Sequence, residues 1–99
     1  MGKFYKYMVQ FSFSDFTLEM QEMVPRQRVI VDRLFDQGVL ITYTLAADRS
    51  KLWAVFQADG ESELLSYIES LPMTKYCDYT YNEILFHDSI QFIPSISLN

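Results

Sequence analysis

The sequence predicts an α+β fold of ferredoxin-like type, with element order β-α-β-β-α-β and a strand-like C-terminal extension. Three observations carry this. Apolar residues alternate strictly along the first stretch, at Tyr5, Tyr7, Val9, Phe11 and Phe13, the period of a strand with one buried face. Two later stretches repeat apolar residues at helical spacing, and each ends on a stop signal. Between and after them lie β-rich runs.

The first strand spans Lys3 to Phe13, and its even positions (Phe4, Lys6, Met8, Gln10, Ser12) are mixed in character. Ser14-Asp15-Phe16-Thr17 then offers capping oxygens. Met20, Met23, Val24, Gln27, Ile30, Val31, Leu34 and Phe35 form a helical stripe to about Gln37, and Gly38 stands where a left-handed cap belongs. Pro25 either kinks this helix or begins its main part. Val39 to Ala47 and Lys51 to Ala58 read as a hairpin turning at Asp48-Arg49-Ser50. Asp59 and Ser62 compete to cap a second helix whose stripe is Leu64, Leu65, Ile68 and Leu71, stopped by Pro72. Tyr76 to His87 reads as a long aromatic strand, rich in β-forming bulk.

Ninety-nine residues make one domain, 1–99, with 89–99 as the extension. A net charge of −5 with scattered Lys and Arg leaves no basic stripe for nucleic acid. No apolar run approaches the roughly 18 residues of a membrane span, so a cytoplasmic protein is expected. Cys77 stands alone, which excludes an internal disulfide and a multi-cysteine zinc site; no metal is expected. Helices cover one face of a four-stranded sheet, yet both faces carry apolar or aromatic residues, and a second copy of the sheet is the simplest cover. Phe92, Ile93, Ile96 and Leu98 in the extension suggest strand addition to a partner subunit, or packing on the chain's own sheet edge.

Gly38, Val55-Phe56, Leu64, Leu71-Pro72, Tyr76, Asp78 and His87 together resemble the muconolactone delta-isomerase family, from about Gly38 to Ser89 and more loosely before it. The resemblance implies a dimeric α+β barrel, in which two subunits pack sheet to sheet, exchange C-terminal segments and sometimes form larger rings. It also implies a cofactor-independent proton shift within a small unsaturated lactone or aromatic-derived acid. Such a reaction needs a base, a donor for the developing enolate oxygen, and an anchor. Tyr79, Tyr81, Glu83 and His87 share one strand face, so Glu83 or His87 is the candidate base and Tyr43 or Tyr81 the donor. Tyr7 stands where family members typically carry a basic residue. With Trp53, Arg49 and Lys6 it completes the ligand-binding candidates. A non-catalytic small-ligand module and a cofactor-free oxygenase stay open beside the isomerase. So does a structural reading in which Trp53, Tyr43 and His87 serve a core or dimer seam.

Overall fold

The computed structural model describes residues 4–86; His87 and the 89–99 extension lie outside the described residues. Strand β1 (Tyr5–Ser12) leads to helix α1 (Leu18–Asp36), strands β2 (Leu40–Leu45) and β3 (Lys51–Ala58), helix α2 (Glu61–Ser70) and strand β4 (Asp78–Ile84). The sheet has order β2-β3-β1-β4 with every neighbouring pair antiparallel. Four antiparallel strands and two helices in this order are compatible with a ferredoxin-like α+β fold.

Local chemistry sets the helix ends. The Met20 N–H donates to Thr17 Oγ1 at 3.2 Å, so Thr17 is the cap among the three oxygen-bearing candidates. At the other end Gly38 adopts φ +75°, its N–H donates to the Phe35 carbonyl at 3.0 Å, and the Val39 N–H reaches Leu34 at 2.9 Å. That pair of bonds closes the helix through the left-handed residue that glycine accommodates without strain. Pro25 lies inside α1, which continues past it. Helix α2 departs from expectation: Gly60 occupies its cap, and neither Asp59 nor Ser62 caps it. Instead the Glu63 carboxylate reaches back to accept from the Asp59 N–H at 2.7 Å, tying the residue before the Gly60 cap to the first turn.

The last strand is shorter than its composition suggests. Tyr76 lies in a single 3₁₀ turn, Thr74–Tyr76, and β4 stops at Ile84. Lys6–Ile84 is the last pair of the β1–β4 ladder, so Leu85 leaves the sheet although β1 itself begins at Tyr5. Leu85 and Phe86 are exposed.

Both helices pack on one sheet face. Val31 and Leu34 of α1 and Leu64 and Ile68 of α2 share a core with Tyr7, Val9 and Phe11 of β1 and Ala54 and Phe56 of β3. Val9, Val31, Phe56, Leu64 and Ile68 are fully buried, and each such large side chain contributes about 1.5–3 kcal/mol through removal from water. The opposite face presents Met8, Gln10, Trp53, Gln57 and Asn82. There Trp53 Nε1–H donates across the strands to Gln10 Oε1 at 3.0 Å.

Candidate functional site

A cavity of about 330 Å³ opens between α1, the loop that precedes it, and the β2–β3 end of the sheet, within the usual size range of small-molecule sites. Phe13, Phe16, Val24, Val31, Leu45, Leu52 and Met73 give it apolar walls, and Gln27, Arg28 and Tyr43 supply its polar groups. Helical spacing places Val24, Gln27, Arg28 and Val31 together on α1, while Tyr43 faces them from edge strand β2. Behind Gln27 a further void of about 10 Å³ reaches Thr74 and Cys77, room for about one water.

One hydrogen-bond chain fixes the polar end of the cavity. The Met73 N–H donates to Gln27 Oε1 at 3.1 Å, and Gln27 Nε2–H donates to Tyr43 Oη at 2.9 Å. A backbone N–H can only donate, so the Gln27 amide can point only one way. Tyr43 is therefore an acceptor toward Gln27, and its own O–H has no acceptor among the described residues. Burial raises the Tyr43 pKa, opposed by the Gln27 bond and the Arg28 charge, so the phenol keeps its proton at neutral pH. Arg28 is partly engaged, with Nε and one terminal nitrogen donating to Asp32 Oδ1 at 3.1 and 2.8 Å. Burial, followed by the Asp78 charge, pushes the Cys77 thiol up to about 11. The thiol donates to the Thr74 carbonyl at 3.3 Å.

The residues expected to carry chemistry are not brought together. Tyr43 lies on one edge strand, whereas Tyr81 and Glu83 lie on the other. Three strand spacings, about 14 Å, separate them. Tyr81 O–H donates to Glu61 Oε1 at 2.8 Å, and this bond is the first cause of its raised pKa. Glu83 is exposed opposite Tyr7. Tyr7 is a core residue, 3% exposed, packed edge-to-face on Tyr81 at 6.2 Å. Lys6 and Trp53 stand on the helix-free face, away from the cavity. Arg49 sits in the hairpin turn with its guanidinium over the Phe16 ring, 5.6 Å from the centroid. His87 lies outside the described residues.

Trp53 and Tyr43 occupy adjacent strands but opposite faces, because Trp53 pairs with Thr44 and Tyr43 with Ala54. Of the cavity's lining only Tyr43 was singled out from the sequence; Gln27, Arg28 and Phe16 were not. For Gln27 the signal was present: a polar side chain holding a position in the apolar stripe of α1. Among the described residues the cavity wall contains no carboxylate and no imidazole.

No family model matches this chain, and no curated protein is significantly similar to it.

Proposed function

We propose that this protein binds a small, largely apolar ligand bearing an oxygen acceptor, held by the Tyr43 phenol in the cavity beside α1. An unsaturated lactone or aromatic-derived acid fits this description and is the class suggested by the resemblance to muconolactone isomerases. One observation carries the proposal: Gln27 orients Tyr43 so that its proton is an unspent neutral donor beside apolar walls. Such a group adds direction to the apolar contacts of the walls. A proton shift would also need a base beside Tyr43, and Glu83 is across the sheet. The binding reading therefore has better support than the isomerase reading.

The same proposal takes the working unit to be a homodimer, with a second copy covering the helix-free sheet face. Met8 and Trp53, half-buried on that face, leave apolar surface that a second copy would cover. A free cysteine fits a reducing compartment such as the cytoplasm.

Calorimetric titration with a panel of unsaturated lactones and aromatic acids tests the binding claim. Tyr43→Phe should weaken the best ligand about five- to tenfold, the worth of one hydrogen bond, and Glu83→Gln should leave it unchanged. Equal affinity of wild type and Tyr43→Phe would refute the assignment.

A further inference from the structure

We infer that Arg49 is a positioning residue for the cavity, holding the Phe16 ring in place as part of its wall. The inference rests on the cavity reading above and adds a residue that does not itself line the cavity.

Arg49 is the only non-glycine residue with positive φ among those described, at +64°. Glycine or asparagine would occupy that conformation at lower cost. The turn does not need arginine for its own closure. Its bonds run from the Arg49 N–H to the Ala46 carbonyl at 2.9 Å, from the Ala46 N–H to Lys51 at 2.8 Å, and from Ser50 N–H and O–H to Asp48 Oδ1 at 2.9 and 2.7 Å. None of them uses the arginine side chain. That side chain instead lies over Phe16 within cation–π range.

Phe16 needs such a partner. It sits in the irregular link between β1 and α1, half-buried, and is not packed against the central core, unlike nearby Phe13. The described structure gives its ring two settings, the cavity wall and the Arg49 guanidinium. The Phe13 N–H donates to the Ser50 carbonyl at 2.9 Å, tying the link to the hairpin turn and fixing the distance that Arg49 must span. The left-handed turn residue thus aims a planar cation at an aromatic wall that the core does not hold.

The test uses naphthol, a neutral aromatic with one hydroxyl, measured by calorimetry alongside thermal melts. Arg49→Gly relieves the turn, so its melting temperature should equal or exceed that of the wild type. Its naphthol affinity should nevertheless fall about fivefold. Arg49→Lys should restore most of the loss. Arg49→Asn, which keeps the turn conformation, should behave like Arg49→Gly. Phe16→Ala should weaken binding at least as much, and adding Arg49→Gly to it should cost nothing more, because Arg49 acts through that ring. Unchanged affinity in Arg49→Gly, or losses that multiply in the double variant, would overturn the inference and leave the cavity reading intact. If wild type binds neither naphthol nor any lactone or aromatic acid, both fall together.

Discussion

The two edges of the sheet treat their tyrosines in opposite ways. On the β4 edge Tyr79 and Tyr81 donate their protons to Glu69 and Glu61 of α2, at 3.3 and 2.8 Å. On the β2 edge Tyr43 meets an amide of α1 and accepts from it at 2.9 Å. A carboxylate can only accept, so it consumes the phenol proton; an amide NH₂ can only donate, so it leaves that proton free. The partner's chemistry, more than the phenol itself, decides which edge keeps a phenol proton free. The helices reinforce the contrast, since the α1 edge encloses an apolar cavity beside its tyrosine.

The largest expected break in this contrast is Gln27→Leu. It keeps the apolar bulk, strands the Met73 N–H and removes the group that orients Tyr43. Leaving a buried donor unpaired costs about 1–3 kcal/mol, readable as a lower urea midpoint with an unchanged slope. Ligand affinity should fall with it.

Alkaline pH should sharpen the comparison from the other side. Burial raises Tyr43 and carries Cys77 to about 11. Both groups fold in their protonated forms, so the stability they contribute is fully present below their unfolded values of about 8.5 for Cys and 10 for Tyr. It is lost as pH rises through the folded values. Urea midpoints should therefore decline above about pH 8.5, and Cys77→Ser should remove the first part of the decline. A midpoint that is flat up to pH 11 would contradict this assignment.

The smallest effect belongs to Tyr81→Phe. Its bond to Glu61 lies in solvent, so the urea midpoint should stay close to that of the wild type, with ligand affinity unchanged by calorimetry.

Much of the scaffold was legible because each element carried its own punctuation. Strand β3 was readable end to end from Lys51 to Ala58, and Gly38 marked the end of α1 by the conformation it alone takes easily. What failed depended on distant partners. Leu85 and Phe86 have strand-forming side chains, but the pairing with β1 ends at Lys6–Ile84. Tyr43 and Trp53 sit on adjacent strands, but pairing register separates them by face, and β2 slips register between Leu40 and Thr42. Tyr43 was recognisable as a donor, whereas its partner Gln27 was absorbed into the stripe of α1. Grouping Glu83 and Tyr81 by strand parity was sound locally, but parity does not reveal that Tyr43 lies at the far edge of the sheet.

The most direct measurement is NMR of the chain carrying ring-labelled tyrosine, titrated with naphthol. The account predicts that the Tyr43 resonance moves on ligand addition, while those of Tyr79 and Tyr81 stay in place. Movement of Tyr79 and Tyr81 with Tyr43 silent would put the ligand at the β4 edge and contradict it.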